Sequence, residues 1–444
     1  MRLKGYPGDV LLLSVFLLPV IVTVPGLPWG GQNWLYSLAE LVGVLALSSF
    51  LVAGILSARI PGTYPWFGGL VRVWAIHRWL GFSAFMLVMV HVLLLALATL
   101  LLSIDSSIET LFPPLSHWEV WIGWAAFVTM LIFIAPTFGF FGSLHYQHWK
   151  RLHLFSAPAL VLALIHTLML SSTAWVWWLL SALALAAIAW RKVLSPWLAR
   201  KPYVVKEVDT LARDVVELCL HPRGKGIRWQ VGQFVYLTPM DRSLAAGYRE
   251  EHPYTIASAS GDGEMRIGIK AVGDATRALV NIKPGAEVRI EGPYGTFFES
   301  NFKSNFDPNV EPDSESYSPQ PKQLWLAGGI GITPFVSGAR DKVTKSPAGR
   351  DTCLFYLANR VERAYYLDEL VQIAEACETF RVHAHYMSEN GVITRDYQAK
   401  HCRDFAEREI YLCGPPGMIT HLQNLLRHEG VPASRIHTEA FDFL

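Results

Sequence analysis

Long apolar runs fill the first part of the chain and end near residue 191. They are long enough to cross a hydrocarbon core of about 30 Å as helices, so they predict membrane spans. We expect six of them, at 9–25, 34–57, 75–102, 118–141, 151–172 and 174–191. The first run resembles a signal peptide, but a turn at 24–28 follows it instead of a small-residue cleavage site. We therefore interpret it as a retained helix.

Beyond residue 200 the pattern changes to short strands and alternating helices. From 203 to 300, β-rich runs separated by Gly and Pro predict a small antiparallel barrel. From 323 onward, strands alternate with helices, which is typical of a doubly wound α/β domain. The stretch between them is rich in Ser, Asp, Asn and Pro and predicts a solvated linker. The expected domains are 1–195, 200–300, 301–322 (the linker) and 323–444.

The basic residues around the spans lie on alternate connecting segments. One set of segments holds Arg2, Lys4, Arg59, Arg72, Arg78, Lys150, Arg151, Arg191, Lys192, Arg200 and Lys201. The opposite set has no Lys or Arg. By the positive-inside rule, both termini are expected in the cytoplasm, with the protein integral to the inner (plasma) membrane.

Composition excludes some classes of function. The net charge of +1 gives no nucleic-acid footprint, so no nucleic-acid partner is expected. All five cysteines lie in the second half, and none has iron–sulfur or zinc spacing. This usage is typical of a reduced, cytosolic location for that half.

Four histidines lie within two of the spans. His77 and His91 are in the third span, and His153 and His166 are in the fifth. A lone histidine at membrane depth is more often a hydrogen-bonded or interfacial residue than a ligand. Here, the separations of 14 and 13 residues correspond to rises of roughly 20 Å. Each helix therefore offers one imidazole near each face of the membrane.

These histidines pair by depth because the third and fifth spans run in the same direction. His77 is expected to meet His153 near the cytoplasm, and His91 to meet His166 near the outside. Neutral imidazole is a haem ligand. The four histidines therefore predict two bis-histidine haems of the b type, stacked across the membrane.

Two features near these histidines leave alternatives open. Thirteen residues do not return to the same face of a helix, and Pro158 is a candidate for a bend between His153 and His166. Arg72 and Arg78 either bind haem propionates or contribute only to the charge asymmetry.

Three strings in the second half suggest nucleotide chemistry. HPYTIAS at 252–258 puts an aromatic and a hydroxyl residue at the end of a strand, where they could contact a flavin ring. IKAVGDATR at 269–277 ends a strand and begins a helix, which suits a diphosphate. AGGIGITPF at 327–335 is a strand, a glycine-rich turn and a helix, the arrangement of a phosphate cradle.

With haem spans, flavin barrel and nucleotide domain in that order, the chain resembles the NADPH oxidase and ferric reductase family, in its compact bacterial form. The likeness covers about residues 35–444 and includes CGPPGM at 413–418. The resemblance implies a membrane all-α six-helix haem bundle followed by a ferredoxin-reductase-like module. That module combines an antiparallel β-barrel FAD domain with an α/β nucleotide-binding domain.

The resemblance also implies roles for particular residues. Tyr254 would pack on the flavin ring, and Thr255 would approach its reactive nitrogen. The flavin pocket would be shaped by His252, Pro253 and Ser258. The flavin diphosphate would be held by Lys270, Gly273 and Thr276. The phosphates of the nicotinamide nucleotide would be bound by Gly328, Gly329, Gly331 and Thr333.

Other implied roles lie near the nicotinamide. Cys413 and Gly414 would sit beside its ring, although Cys413 could instead be only a small buried hydrophobe. An aromatic near the C-terminus would cover the flavin, either Phe441 or Phe443, with Phe441 preferred. Arg360 could bind a 2′-phosphate and select NADPH, while nearby Glu362 leaves NADH open. The expected catalytic residues are Thr255, Cys413 and Phe441.

The expected function is a transmembrane oxidoreductase that uses FAD, two b haems and NADPH, or NADH. Hydride would pass to the flavin, and single electrons would then cross the bilayer. The acceptor is expected to be oxygen, giving superoxide, with a ferric chelate or a periplasmic partner protein as alternatives. The outer segments are short, and no basic or metal-binding cluster appears there apart from His117. No obligatory protein partner is expected.

Overall fold

A computed structural model describes residues 5–30, 33–137, 146–171, 173–298, 321–345 and 350–439. The chain divides into two compact units, Met1–Trp197 and Leu198–Phe443. Most of the expected linker at 301–322 lies outside the described residues, and so do Phe441 and Phe443.

The first unit is helical. Its helices are α1 (Pro7–Thr23), α2 (Trp34–Leu56), α3 (Leu70–Leu100), α4 (Ile104–Leu111), α5 (Trp118–Ile134), α6 (Tyr146–Leu152), α7 (Ser156–Leu170), α8 (Ala174–Ala189) and α9 (Ser195–Leu198). Six stretches of the described chain are long and apolar enough to cross a membrane: Pro7–Gly26, Trp34–Leu56, Leu70–Leu100, Trp118–Thr137, His148–Leu170 and Ala174–Leu198. The expectation of six spans, and of an integral membrane protein, is confirmed.

The third span begins earlier than the apolar pattern predicted. α3 starts at Leu70 rather than 75, directly after the glycine pair Gly68-Gly69. The apolar pattern missed this first turn because it contains Arg72. The guanidinium of Arg72 is tolerated there because it donates to both carboxylate oxygens of Asp9 in α1, at 2.6 and 2.9 Å.

The fifth span is not a continuous α-helix. A 3₁₀ turn at His153–Phe155 separates α6 from α7. Because a 3₁₀ turn advances about 120° per residue rather than 100°, its three residues recover about 60° of rotation. That rotation reduces the phase mismatch between His153 and His166, and it lies before Pro158 rather than at it.

The helices of the first unit pack around two apolar clusters. One joins α2, α7 and α8 through residues such as Leu51, Leu164 and Trp177. The other joins α3, α5 and α7 through Phe85, Phe133 and Ala159. These clusters hold together the helices that carry the four histidines.

The second unit begins with an antiparallel sheet. Its strands are β1 (Arg200–Ala212), β2 (Val215–Pro222), β3 (Phe234–Pro239), β4 (His252–Thr255), β5 (Met265–Lys270) and β6 (Glu287–Tyr294), with helix α10 (Asp274–Leu279) after β5. The strand order is β4-β3-β6-β1-β2-β5. A single bridge between Ile256 and Ile267 links the two edges. The sheet is therefore a curled, nearly closed barrel, as the spacing of Gly and Pro predicted.

A parallel sheet with helices follows. Its elements are β7 (Gln323–Gly328), α11 (Thr333–Lys345), β8 (Thr352–Ala358), α12 (Leu367–Ala376), β9 (Phe380–Tyr386), α13 (Met387–Asn390), α14 (Arg395–His401), β10 (Glu409–Cys413), α15 (Pro416–His428) and β11 (Ile436–Glu439). The strand order is β11-β10-β7-β8-β9, and every pairing is parallel.

This sheet has an apolar core on each face. Alternate residues of β7 belong to different cores, with Trp325 in one and Leu324 and Leu326 in the other. The order of connection reverses between β7 and β10. Ligands of doubly wound sheets bind in the crevice at the carboxyl ends of the strands at such a reversal, so the crevice lies beside Gly328 and Cys413.

Candidate functional site

Three of the four membrane histidines donate a hydrogen bond to a backbone carbonyl on another helix. His77 Nδ1 bonds the carbonyl oxygen of Ala53 at 2.8 Å, and His91 Nδ1 bonds that of Ala39 at 2.7 Å. His166 Nδ1 bonds the carbonyl oxygen of Glu119 at 2.8 Å. A carbonyl only accepts, so Nδ1 must carry the proton, and the lone pair of Nε2 is left for a ligand.

His153 is held differently. Its Nδ1 is buried and has no hydrogen-bond partner within the described part of the chain. Instead, its ring stacks on Trp149, with centroids 5.1 Å apart, and meets the edge of Phe133 at 5.4 Å. Aromatic packing therefore takes the place of the backbone carbonyl at this position.

The inner pair has a separation that suits one metal ion. The ring centroids of His77 and His153 are 6.3 Å apart, with an angle of 61° between their planes. Two imidazoles on opposite sides of one iron, each with a metal–nitrogen bond of about 2 Å, would have centroids roughly 6 Å apart. The expected pairing of these two histidines is therefore seen directly in the geometry.

The outer histidines are His91 on α3 and His166 on α7, and each is bonded to a carbonyl of a neighbouring helix. All four histidine rings are half-buried rather than sealed in the apolar clusters. The donors present, four neutral imidazoles in two pairs, match the ligand chemistry of two b haems.

Arg72 has a partner that neither interpretation from the sequence included. Besides Asp9, its guanidinium donates to the carbonyl oxygen of Phe67 at 2.9 Å and lies 4.9 Å from the centre of the Tyr6 ring. Arg72 therefore ties the start of α1 to the start of α3.

In the barrel, the HPYT string forms strand β4. Tyr254 is opposite Val235, and Thr255 is opposite Phe234. The ring of Tyr254 is only 9% exposed and packs in the barrel core. Its hydroxyl has no hydrogen-bond partner among the described residues. Burial raises the pKa of Tyr254, so the hydroxyl stays protonated and can donate to a bound polar group.

The neighbours of Tyr254 have varied environments. Thr255 and Ser258 are buried, and His252 Nε2 lies 3.5 Å from the carboxylate of Glu250. The hydroxyl of Ser258 accepts from the backbone N–H of Arg266 at 3.1 Å. Ser258 therefore supports the backbone at the end of this string.

The string expected to bind the flavin diphosphate forms a capped turn. Lys270 ends β5, and Gly273 precedes α10. The hydroxyl of Thr276 accepts from the backbone N–H groups of Val272 and Gly273, both at 2.9 Å. Two of the amides at this turn are thus already bonded to a side chain of the same turn.

The glycines of the nucleotide crevice serve two different needs. A Cβ at Gly331 would lie 2.6 Å from the carbonyl oxygen of Cys413, and one at Gly414 would lie 3.0 Å from Cα of Gly328. These glycines allow the β7 turn and the end of β10 to touch. Gly329 differs, because it has φ +54° and nothing within 4 Å of its Cβ position. Gly329 is therefore the glycine that faces open space.

Two other expected residues support this turn from within. Thr333 is buried at the start of α11, and its hydroxyl donates to the carbonyl oxygen of Ile330 at 3.2 Å. Cys413 is fully buried in the hydrophobic core. This burial favours the interpretation of its side chain as a small hydrophobe, while its backbone lies at the crevice.

Two arginines follow β8 and have different surroundings. Arg360 is exposed at the carboxyl end of the strand. Arg363, three residues later, bonds both carboxylate oxygens of Asp214 in the barrel, at 2.5 and 2.6 Å. Arg363 is thus bonded to the barrel, whereas Arg360 lies exposed at the carboxyl edge of the sheet.

A network centred on Arg340 joins the barrel to the α/β domain. Its guanidinium donates to Glu217 of β2 at 2.9 Å and to Glu369 of α12 at 2.6 and 2.8 Å. Burial lowers the pKa of Arg340, but the bonds to Glu369 and Glu217 outweigh it and raise the pKa overall. Arg266 bonds the same Glu217 at 3.0 Å.

Two hydroxyls add to this junction. Ser337 donates to the carbonyl oxygen of Ser258 at 2.7 Å, and Ser260 bonds the carboxylate of Asp341. This network was not predicted from the sequence. One position indicated it. Glu217 is a carboxylate within the otherwise apolar strand 215–220, and a buried carboxylate requires a partner.

Three stretches of the chain match known families. Residues 42–164 match a family described as the ferric reductase like transmembrane component. Residues 201–297 match an FAD-binding domain, and residues 325–424 match an oxidoreductase NAD-binding domain.

Two curated relatives each match part of the chain. The glycine betaine monooxygenase reductase subunit of Pseudomonas aeruginosa is 31% identical over 170 residues, which are 36% of this chain and 42% of that protein. The flavohemoprotein of Vibrio cholerae is 26% identical over 264 residues, 56% of this chain and 61% of that protein. The chain thus spans less than two thirds of either relative.

Two solved structures also align with parts of the chain. The flavohemoglobin of Malassezia yamatoensis, solved with bound FAD and heme, aligns with a TM-score of 0.48 and 17% identity over 76% of this chain and 87% of that one. The FAD/NAD-binding domain of nitric oxide dioxygenase from Vibrio cholerae aligns with a TM-score of 0.41 and 22% identity over 54% of this chain and 97% of that one.

Proposed function

The chain has the domain architecture of the NADPH oxidase and ferric reductase family, and we propose that it passes electrons from cytosolic NADPH to oxygen on the far side of the membrane. The FAD-binding and NAD-binding matches support an NAD(P)H-dependent oxidoreductase, and the described residues contain six helices that are long and apolar enough to cross a membrane. Its route through the membrane, its acceptor and its orientation are the parts that we propose.

The observation that carries the proposal is the arrangement of the four histidines. Three have Nδ1 bonded to a backbone carbonyl, and the inner pair has the centroid separation of two ligands on one iron. We propose that His77 and His153 hold one b haem and that His91 and His166 hold the other. The two haems would supply one-electron carriers at two depths of the membrane.

The second unit would transfer electrons from the nicotinamide nucleotide to these haems. A flavin bound at the barrel would supply the change from two-electron to one-electron transfer. In this proposal Thr255 and the Tyr254 hydroxyl meet the flavin, Lys270 and Thr276 lie at its diphosphate, and Gly329 lets the nucleotide phosphates approach the turn. Cys413 acts through its backbone position beside the nicotinamide. An aromatic cover from Phe441 remains a prediction outside the described residues.

NADPH is the proposed donor because Arg360 is exposed at the carboxyl end of β8. In doubly wound folds, an arginine near this position can accommodate the 2′-phosphate. A guanidinium bonds a phosphate through parallel N–H donors, which NADH cannot satisfy.

The charge pattern supports the proposed orientation. The segments on one side of the helices carry every flanking Lys and Arg, and those on the other carry none. The side rich in basic residues also leads into the second unit, which would therefore lie in the cytoplasm.

Oxygen is the proposed acceptor because it needs only access to a haem edge. The outer segments 26–33, 103–117 and 171–174 have no Lys or Arg to bind an anionic iron chelate. A ferric chelate is the second candidate, and the matched transmembrane family favours it through its description as ferric reductase like.

The acceptor can be tested with purified protein and NADPH. We expect oxygen uptake, together with cytochrome c reduction that superoxide dismutase abolishes. Reduction that resists dismutase, without oxygen uptake, would contradict the oxidase proposal. Ferric citrate reduction under nitrogen would then support the second candidate.

The haem ligands can be tested separately. His91→Leu should remove the outer haem, about half of the low-spin absorbance, while NADPH still reduces the flavin. His148→Leu is the matched control, because this exposed histidine begins the span that contains His153 but is not one of the four. A full two-haem spectrum in His91→Leu would refute the assignment.

A further inference from the structure

Each outer histidine lies in a notch formed by a carbonyl and a glycine four residues later. On α2, His91 Nδ1 bonds the carbonyl oxygen of Ala39 at 2.7 Å. A Cβ at Gly43 would lie 2.9 Å from the same Nδ1 and 3.0 Å from Cε1 of that ring. The imidazole therefore occupies the space where a side chain at position 43 would begin.

The same arrangement recurs on a different helix. On α5, His166 Nδ1 bonds the carbonyl oxygen of Glu119 at 2.8 Å. A Cβ at Gly123 would lie 2.7 Å from that Nδ1 and 2.8 Å from Cε1. Both outer imidazoles thus meet a carbonyl at position i and a glycine at position i+4.

Helix geometry explains why the two features occur together. A side chain on an α-helix leans toward the N-terminus and covers the turn before its own Cα. The residue at i+4 therefore shields the carbonyl of residue i from any side approach. Only glycine leaves that carbonyl bare enough for an imidazole from a neighbouring helix.

The inner pair does not use this device. His77 Nδ1 bonds the carbonyl oxygen of Ala53, which lies in the last turn of α2. In that turn, the backbone N–H of Ser57 donates to the carbonyl oxygens of Gly54 and Ile55 rather than to that of Ala53. The carbonyl of Ala53 is thus available without a glycine at i+4. His153 has no carbonyl partner among the described residues.

We propose that Gly43 and Gly123 are positioning residues for the outer haem. They act through His91 and His166, whose rings they allow to reach a helix carbonyl. That bond keeps the proton on Nδ1 and points Nε2 toward the iron, as supporting hydrogen bonds do for metal-bound histidine elsewhere. This inference rests on the proposed haem ligation. It adds two residues that act at the outer haem site and not at the inner one.

The test is a pair of single substitutions, Gly43→Ala and Gly123→Ala. Alanine favours a helix more than glycine does, so a general loss of helix stability is not expected. The added methyl should instead displace the imidazole and lower the haem-to-flavin ratio by about half. The haem that remains should keep the absorbance and the low-spin electron paramagnetic resonance signal of the inner site.

Two glycines provide matched controls. A Cβ at Gly54, also on α2, would lie 3.8 Å from Cβ of Ala184, an ordinary contact. A Cβ at Gly81 on α3 would have nothing within 4 Å. Gly54→Ala and Gly81→Ala should therefore retain both haems and an unchanged spectrum.

A double variant tests whether the loss of haem in Gly43→Ala acts through His91. Gly43→Ala added to His91→Leu should change the spectrum no further, because the outer haem is already absent. Unchanged haem content in both single alanine variants would overturn the inference, and so would an equal loss of both haems. If the unaltered protein bound no haem, the proposed function itself would fail, so the two failures are distinguishable.

Discussion

At the scale of single residues, the proton on each membrane imidazole decides whether it can bind a metal. Backbone carbonyls fix that proton on Nδ1 of His77, His91 and His166. Such bonds orient a ligating histidine and raise its basicity. His153 lacks one among the described residues and depends on Trp149 and Phe133, so the inner site combines two different ligand environments.

Arg360 gives a prediction about the nucleotide. Replacing it with alanine should remove charged hydrogen bonds to the 2′-phosphate, each worth about 1.5–3 kcal/mol. We expect kcat/KM for NADPH to fall roughly tenfold to a hundredfold. The kcat/KM for NADH should stay nearly unchanged. Steady-state kinetics with each nucleotide measure the two kcat/KM values.

Arg403→Ala is the matched control, because Arg403 is also exposed in the α/β domain but precedes β10. It lies near the amino end of that strand, away from the crevice. If Arg360→Ala weakened both nucleotides equally, the proposed 2′-phosphate contact would be wrong.

The residues that sequence reasoning found are those with a distinctive chemistry in a distinctive place. Four histidines in apolar helices and a glycine-rich turn after a strand are such signals. Gly43, Gly123 and Arg340 gave none, because their roles depend on which helix or strand lies opposite. That information exists only after the chain has folded.

At the scale of elements, most span ends were predicted to within a few residues, but α3 starts at Leu70 rather than 75 and the sixth span extends to Leu198 rather than 191. A charged residue ends a span predicted from the apolar pattern. That pattern contains no information on the pairing of Arg72 with Asp9, 63 positions away. The 3₁₀ turn at His153–Phe155 was likewise hidden, because short 3₁₀ segments have no clear sequence signature.

The junction between barrel and α/β domain gives a prediction at this scale. In Arg340→Met, Glu217 would remain buried, at 3% side-chain exposure, with Arg266 as its remaining partner. Breaking a buried ion pair in this way should lower the free energy of unfolding by about 3 kcal/mol. It should also slow flavin reduction by NADPH, because the two domains would no longer be held at a fixed spacing.

Urea unfolding of the detergent-solubilised protein, followed by flavin fluorescence, measures the first effect, and stopped-flow absorbance measures the second. The double variant Arg340→Met/Glu217→Gln is the control, since it also removes the buried negative charge of residue 217 and should recover part of the stability. Equal stability of Arg340→Met and the unaltered protein would show that the network does not hold the domains together.

At the scale of the whole molecule, the order of the parts was predictable from the sequence. Apolar helices, a curled antiparallel sheet and a parallel sheet follow one another as the hydrophobic pattern indicated. The glycine-rich turn, predicted from the sequence to hold phosphates, follows β7 at the point where the order of connection reverses. The barrel closure by one bridge was not predictable, since it depends on the curvature of the whole sheet.

The charge asymmetry predicts the topology of the molecule. A phosphatase reporter fused after Ser107, in the segment 103–117, should be active because it would lie outside. The same reporter fused after Ser195 should be inactive, whereas green fluorescent protein at that site should fluoresce. The opposite pattern would invert the proposed direction of electron transfer.

The central claim is that four imidazoles hold two haems which NADPH can reduce across the membrane. The most direct measurement is an anaerobic titration of haem-replete protein with NADPH, followed by absorbance. We predict a low-spin b-type spectrum that is reduced in full, with about two haems for each flavin. Protein supplied with ample haem that shows no such absorbance, or whose haem NADPH cannot reduce, would contradict the account.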